Sequence, residues 1–159
     1  MDREGLISAA LLGVAAGVRS ITPVAVVSWV VAPGSRPLRR SPLAFLSQPA
    51  VRATCAVMVA AEAVADKLPI TPARTAPGTW LGRVLLGGLA GAAISAARDR
   101  PVGTGMVAGA GSAGISTYVS YRIRMALIEQ AGLPNVVAGS VGDLAALALS
   151  LAAVSREPS

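Results

Sequence analysis

The sequence has no histidine and a single cysteine, Cys55, among its 159 residues. Zinc and haem sites rely on these two residue types, so metal centres of the usual kinds are excluded. One cysteine also excludes an intramolecular disulfide bond. A serine nucleophile would lack the histidine base of a hydrolytic triad, so we expect no catalytic residue of that kind and no cofactor.

Charged residues are scarce as well, at 14% of the chain, whereas about a quarter is usual in a soluble domain. Hydrophobic residues make up 53% and the mean hydropathy is +0.63. Aromatic residues contribute only 3%, and small apolar residues dominate, which suits helices that pack closely in lipid. The composition therefore excludes a disordered chain and an ordinary soluble domain. It predicts a multi-pass protein of a bacterial cytoplasmic membrane, surrounded by the lipid bilayer.

The net charge of +6 would suggest nucleic-acid binding if the protein were soluble. The 14 basic residues, however, sit mainly between long apolar runs and form no single basic face. Basic residues in such positions flank membrane segments. We therefore expect no nucleic-acid partner.

Five apolar runs predict an all-α, polytopic helical bundle in one membrane domain, residues 1–159. The predicted segments are 6–32, 50–69, 79–97, 102–121 and 136–154. The last three have about 19 to 20 residues, the length that crosses a bilayer core as a helix. Only four residues join the third run to the fourth, so these two form an antiparallel hairpin. Five segments are too few for a roomy pathway, and we expect a homo-oligomer.

The basic residues in the connections bear on orientation, because arginine and lysine are enriched on the cytoplasmic side. If the first run crosses the membrane once, the two sides carry seven and six of them. If the run dips in and returns, the split becomes eight to five with Arg19 left inside. The side that holds Arg36 to Arg40 is then the cytoplasmic one. The sequence leaves both arrangements open.

The first run is broken at Arg19-Ser20-Ile21-Thr22-Pro23. Proline disrupts a helix interior, whereas Thr22 is a favourable N-cap and proline is favoured just after a cap. The pattern predicts two half-helices, 5–18 and 23–32, with free amide protons at their joint. Discontinuous helices of this kind bind substrates and ions in many transporters. The alternative is a simple proline kink, in which Ser20 or Thr22 bonds back to main-chain carbonyls.

Arg19 lies deep in this run, where a lone guanidinium costs about 3 kcal/mol or more. It should therefore contact an acid, and Glu62 and Asp143 are the candidates within apolar runs. Asp66 lies one turn beyond Glu62 on the same helix face. One arginine for two carboxylates leaves a negative charge, so we expect one carboxyl to be protonated or a cation to neutralise it. The alternative is a structural ion-pair lock between helices.

These considerations give one set of residues that could bind a small anion, a cation or a lipid head group. The set is Arg19, Ser20, Thr22, Glu62, Asp66, Lys67 and Asp143.

Small and hydroxyl residues mark the later runs. Ser112, Ser116 and Ser120 recur every four residues and either line a water path or form hydrogen bonds between helices. Gly87-x-x-x-Gly91 and Gly105-x-x-x-Gly109 predict close helix packing. The pattern G-x-G-x-x-G at 109–114 lies inside an apolar run with no strand before it, so it does not indicate a dinucleotide site.

Three segments together resemble a known family. They are Gly17-Val18-Arg19-Ser20-Ile21-Thr22-Pro23, Glu62 followed by Ala65-Asp66-Lys67-Leu68-Pro69, and Pro134-Asn135 with Asp143. From Gly5 to Ala153 the chain resembles the bacterial membrane-protein family catalogued as domain of unknown function 4126. Members of that family carry an acidic pair near the start of the last helix, where this chain has Gly142 and Asp143. The resemblance implies a membrane topology and a choice of residues, and it supplies no activity.

Three functions remain open. The leading hypothesis is a small transporter- or channel-like protein, in which Arg19 and the second half-helix contact an anionic group and the acids supply a titratable or cation-binding counterpart. The second is a non-catalytic membrane scaffold or assembly protein whose charges only lock helices. The third is a lipid-active enzyme, in which Arg19, Lys67 and Arg74 hold a phosphate and Asp66 acts as base.

Overall fold

The computed structural model describes residues 3–65 and 76–156, and all regular secondary structure in these two ranges is helical. The α-helices are α1 (Arg3–Val18), α2 (Thr22–Val26), α3 (Arg36–Arg39), α4 (Pro49–Ala65), α5 (Pro77–Ala97), α6 (Val102–Glu129) and α7 (Asn135–Ser155). α2 continues as a π-helical stretch, Val27–Val31, and a short 3₁₀ helix, Ala44–Ser47, precedes α4. The predicted all-α class is therefore confirmed.

The helix bounds correct the predicted segments in one place. α6 continues to Glu129, eight residues beyond the expected end at Tyr121, so Arg122 and Arg124 belong to a helix rather than a connection. Long, straight side chains such as arginine lose little freedom in a helix, and charge alone does not end one. The chain turns only at Gly132, whose φ of 65° is the left-handed conformation that glycine adopts without strain.

Two of these helices, α5 and α7, are long and apolar enough to cross a membrane. The shorter helix pair α1 and α2 is organised differently. Ser8, in α1, accepts a hydrogen bond of 2.8 Å from the Arg98 guanidinium. Ser35, four residues beyond the π-helical stretch that continues α2, donates one of 2.9 Å to the carbonyl of Ala97. The start of α1 and the end of α2 thus lie at the same end of the bundle, next to the α5–α6 turn. The first apolar run therefore folds back on itself as a hairpin, with its joint at residues 19–21.

α1 lies at the centre and packs against α5, α6 and α7. Ala9, Leu12, Ala15 and Ala16 of α1 are fully buried. A methyl group added at Gly13 would overlap the main chain of α6, so the backbones approach closely there. Close contact without bulky side chains is how helices gain van der Waals packing when no water is expelled.

The two glycine pairs serve the same purpose between α5 and α6. A side chain at Gly91 would overlap the carbonyl of Gly105, and one at Gly109 would overlap the carbonyl of Gly87. The predicted close-packing role of these glycines is confirmed. Because α5 and α6 are held at this distance, the polar side chains that they carry meet α1 in a fixed register.

One end of the bundle is rich in arginine, and we call it the basic end. It contains the start of α1, α3, the α5–α6 turn and the end of α7. Arg98 binds the last carbonyls of α7, at 3.1 Å from Ala153 and 2.6 Å from Arg156, and thereby caps that helix. An ion pair of 3.1 Å between Arg156 and Glu4 joins the two described ends of the chain.

Candidate functional site

The break between α1 and α2 is the first element of the candidate site. α1 keeps its regular hydrogen bonds up to Arg19, whose amide donates to the carbonyl of Ala15 at 2.8 Å. α2 begins at Thr22, with Ile21 in the cap position and no side-chain cap on that residue. The prediction that Thr22 caps the helix is therefore wrong. The group that takes this role comes from another helix.

Glu62 of α4 caps α2. Its Oε1 accepts hydrogen bonds from the Ser20 amide at 2.9 Å and the Ser20 hydroxyl at 2.8 Å, and its Oε2 accepts one from the Ile21 amide at 3.2 Å. A carboxylate is favoured here because the amides at a helix start lack partners and carry partial positive charge. Ser20 thus bonds to the acid instead of healing a proline kink, and the chain has two separate half-helices.

Arg83 of α5 performs the opposite task for α1. Its Nη1 donates to the carbonyl of Gly17 at 2.5 Å and to that of Val18 at 3.1 Å, at the helix end where carbonyls lack partners. Its Nη2 lies 3.8 Å from Glu62 Oε1. The side chain is 4% exposed. Each half-helix is therefore closed by an ion of the favourable sign, and the two ions face each other.

Arg19 links this joint to α7. Its Nε forms an ion pair with Asp143 Oδ1, and its Nη1 lies 3.4 Å from the main-chain carbonyl of Glu62. The Arg19 side chain is 3% exposed. The sequence anticipated that Arg19 contacts acids from neighbouring helices, and the structure brings them together. The contact with Glu62 runs through its main-chain carbonyl, since the carboxylate is held by the amides of Ser20 and Ile21, just before α2, and lies near Arg83.

The charge balance differs from the expected one. The sequence predicts one arginine against two carboxylates, whereas Arg83 adds a second guanidinium to the cluster. Among the residues that the structure describes, these four groups form two ion pairs with no net charge. Burial of charge is tolerated when each ion has a partner and hydrogen bonds complete its shell.

Arg83 was missed because it follows the proline-rich connection and resembles an ordinary flanking charge. Two signals could have found it. It lies four residues inside the apolar run 79–97, shortly after Trp80 and Leu81, and the residues expected in the cluster were one positive charge short of neutrality.

The cluster lies well away from the ends of the helices. Arg83 is six residues into α5 and Asp143 eight residues into α7, about 9 and 12 Å along their helices at 1.5 Å per residue. Both helices start at the end opposite the basic end. The cluster is thus about a third of the way along the two longest apolar helices.

The serine stripe supports the joint. Ser120 donates to the carbonyl of Gly17 at 3.2 Å, and Ser116 donates to that of Val14 at 3.1 Å. These bonds join α6 to the last turn of α1, as the hydrogen-bonding interpretation of the stripe predicts. The carbonyls at the end of α1 are thus satisfied from two neighbouring helices.

The remaining predicted residues have different outcomes. Thr22 is buried at the first position of α2. Asp66 and Lys67 lie outside the described residues, as does Arg74. Within the described ranges, no three cysteine, aspartate or glutamate side chains form a group that could hold a metal ion. That any of these residues binds a solute or an ion stays a prediction.

Asp143 is the most accessible member of the cluster, with 33% of its side chain exposed, against 20% for Glu62. Among the described residues, only Arg19 contacts its carboxylate, through Oδ1. A cavity of about 130 Å³ between α6 and α7 comes close to this pair. It is lined by Val18 and Gly142, the sequence neighbours of Arg19 and Asp143, and by Ser120.

Comparison with known proteins gives one match. No curated protein and no solved structure matches the chain. The family described as Domain of unknown function (DUF4126) matches residues 6–156, which is nearly the full length. The chain with the arginine–carboxylate joint therefore belongs to the DUF4126 family.

Proposed function

We propose that the protein is a multi-pass membrane protein with a transporter- or channel-like function. In this proposal, the Asp143 carboxylate is the group that binds and releases a proton or a small cation. The membrane location is supported by α5 and α7 and by the apolar residues that the bundle exposes. Val107, Ile115 and Leu144 are each about 70% exposed, in the middle of helices. Such faces are costly in water and need no cover in lipid.

The proposed orientation has the basic end in the cytoplasm. The hairpin of α1 and α2 returns to the end where it starts, so Arg3 and the arginines of α3 lie on one side. That side carries eight basic residues, and an excess of arginine marks the cytoplasmic side of short connections. The charge cluster is then nearer to the opposite surface.

The proposed function rests on one observation: the carboxylate of Glu62 is firmly held, whereas that of Asp143 is not. The Glu62 carboxylate is held by three hydrogen bonds, from the amide and hydroxyl of Ser20 and from the amide of Ile21. Asp143 has one partner among the described residues and is partly exposed, and its neighbour Gly142 lines a cavity. A proton or small cation that arrives through that cavity competes with Arg19 for the Asp143 carboxylate. Intramembrane charges of this kind mark ion and proton pathways.

A second candidate function is a non-catalytic scaffold or assembly protein. It is favoured by the way Glu62 and Arg83 close the ends of both half-helices, which describes a lock rather than a path. The enzyme hypothesis has no comparable support, because its proposed base Asp66 and its ligands Lys67 and Arg74 lie outside the described residues. In either function, a homo-oligomer would supply the surface that one small bundle lacks.

The test compares ion flux in liposomes for the wild type and a charge-neutral double variant, Arg19→Gln with Asp143→Asn. Removing only one partner would leave a buried ion alone and destabilise the protein by about 3 kcal/mol or more, so the double variant is the informative one. We expect it to fold and to lose proton and monovalent-ion flux. Asp99→Asn, at the exposed α5–α6 turn, is the control and should retain flux.

Two results would contradict transport. Flux in the folded double variant equal to that of the wild type would mean that the pair is only structural. Wild-type flux no higher than that of protein-free liposomes, measured for protons, sodium, potassium and chloride, would leave the scaffold as the better explanation.

A further inference from the structure

A polar pocket at the basic end continues into an apolar groove along the outside of α5 and α6. The pocket has a volume of about 340 Å³ and is lined by Arg36, Arg40, Arg100 and Asp99, among others. The adjoining groove, of about 490 Å³, shares Ser41 and Val102 with it. From these two features we propose a binding site for an anionic phospholipid, with the phosphate in the pocket and an acyl chain in the groove.

The arginines of the pocket are held in place by the fold. α3 starts with Arg36, and Arg40 follows its last residue. The helix is capped by Ser35, whose hydroxyl accepts a bond from the Leu38 amide at 3.2 Å and donates to the Ala97 carbonyl at 2.9 Å. Leu38 is fully buried beneath the helix. This short helix is thus tethered against the end of α5, and it brings two exposed guanidinium groups beside Arg100 of the turn.

The charges of the pocket favour an anion. Three arginines and one aspartate give a net charge of +2, and the side chains of Arg36 and Arg40 form no ion pair with any described residue. Basic pockets at the cytoplasmic ends of membrane helices suit lipid phosphates, and each arginine near the surface contributes about a fivefold gain in affinity. Guanidinium groups also match the geometry of phosphate oxygens.

The groove matches the other part of a lipid. Its lining combines small residues such as Gly88, Ala92 and Ala110 with larger apolar ones such as Leu89 and Met106. A second apolar pocket, of about 530 Å³, continues from Val107 to Tyr118. From Val102 to Tyr118 the path along α6 is about 24 Å at 1.5 Å per residue. That exceeds the roughly 15 Å of hydrocarbon in one leaflet.

The inference rests on the membrane location in the proposed function, and not on transport. The two can be tested separately, because extraction of membranes with carbonate reports the location and lipid binding is measured on the purified chain. Protein recovered in the soluble fraction would contradict the location. Lost transport with intact lipid binding would leave the lipid site unaffected.

Native mass spectrometry of the detergent-solubilised full chain is the assay, with phosphatidylglycerol, phosphatidylcholine and glycerol 3-phosphate as probes. We expect phosphatidylglycerol to bind most tightly. Arg36→Gln and Arg40→Gln should each lower its affinity by about fivefold. Arg39→Gln is the matched control, since it removes the same charge from the same short helix without lining the pocket, and it should change the affinity by less than about twofold.

A second variant tests the groove. Val107→Trp would place a bulky ring in the lining that both apolar pockets share, so phosphatidylglycerol affinity should fall. Because Val107 is 70% exposed, the substitution should leave folding unaffected. Three results would overturn the proposal: equal binding of phosphatidylcholine, equal binding of glycerol 3-phosphate, or equal losses in Arg36→Gln and Arg39→Gln. The second of these would indicate a site for free phosphate esters instead of a lipid.

Discussion

The substitution Glu62→Gln tests whether the acid of α4 holds the helix break together. Glutamine has nearly the same shape, so the change removes charge and one acceptor without opening a cavity. Its carbonyl oxygen could keep the two bonds from Ser20 that Oε1 accepts at 2.9 and 2.8 Å. Its NH₂ group would then face the Ile21 amide, which now donates to Oε2 at 3.2 Å. Two donors would meet where a donor and an acceptor stood.

The expected loss follows from these contacts. A hydrogen bond to a charged acceptor is worth about 1.5–3 kcal/mol, and an amide left without an acceptor adds a similar cost. Arg83 also loses its anion at 3.8 Å, although it keeps the carbonyls of Gly17 and Val18. We expect Glu62→Gln to lower the free energy of unfolding by about 3 kcal/mol, because the partial exposure of Glu62 limits the electrostatic part.

Thermal unfolding in detergent measures the effect. For a chain of this size, 3 kcal/mol corresponds to a lower Tm by about 6–12 °C. Glu129→Gln makes the same chemical change at an exposed residue at the end of α6, and it should shift the Tm by less than about 2 °C. Equal Tm values for the two variants would refute the capping role of Glu62.

A double-mutant cycle separates the cap from general destabilisation. Ser20→Ala removes the hydroxyl that donates to Oε1, so its cost should be smaller in the Glu62→Ala background than in the wild type. A coupling of about 1 kcal/mol is expected for residues in direct contact, and additive effects would contradict the shared bond.

Two further predictions concern packing and the basic end. Gly109→Ala should destabilise the protein by about 3 kcal/mol, because the methyl group would overlap the carbonyl of Gly87. Gly111→Ala places its methyl group in open space on the same helix, so it should raise stability by up to about 1 kcal/mol. Equal Tm shifts for the two glycine variants would contradict the close contact. Arg98→Gln should loosen the end of α7 and speed amide hydrogen exchange there by at least about tenfold, because the guanidinium binds several carbonyls at that end. The control Arg122→Gln, on the exposed face of α6, should leave exchange unchanged. Equal protection in wild type and Arg98→Gln would contradict the cap.

Local sequence signals located the helix break but not the groups that close it. Pro23 has no amide proton and follows polar residues, so an interruption was predictable from the chain itself. The cap was assigned to Thr22 because local preferences favour a nearby hydroxyl. In the folded protein Glu62 takes the capping role, because its carboxylate accepts hydrogen bonds from two amides at once. Only the packing of α4 brings Glu62 to this position.

The pairing of Arg19 with Asp143 was foreseeable because a deeply placed guanidinium needs an acid and the sequence offers few. Arg83 was not foreseen, since its position along the chain does not reveal the angle at which α5 meets α1. The same limit applies to the hairpin. The number of basic residues in the connections could not predict that the first run folds back on itself, whereas two contacts, Ser8 with Arg98 and Ser35 with Ala97, show this hairpin.

The ion pair between Arg19 and Asp143 has a consequence for biosynthesis. The acid follows the arginine by 124 positions, so at about 5–20 residues per second it leaves the ribosome roughly 6–25 seconds later. Glu62 arrives after only 43 residues and can provide a provisional carbonyl contact. In the proposed membrane location, the Arg19 guanidinium of the nascent chain can form its ion pair with Asp143 only after the last segment has been synthesised. Synthesis of the final helix is thus required before its ion pair can hold the end of the first helix in place.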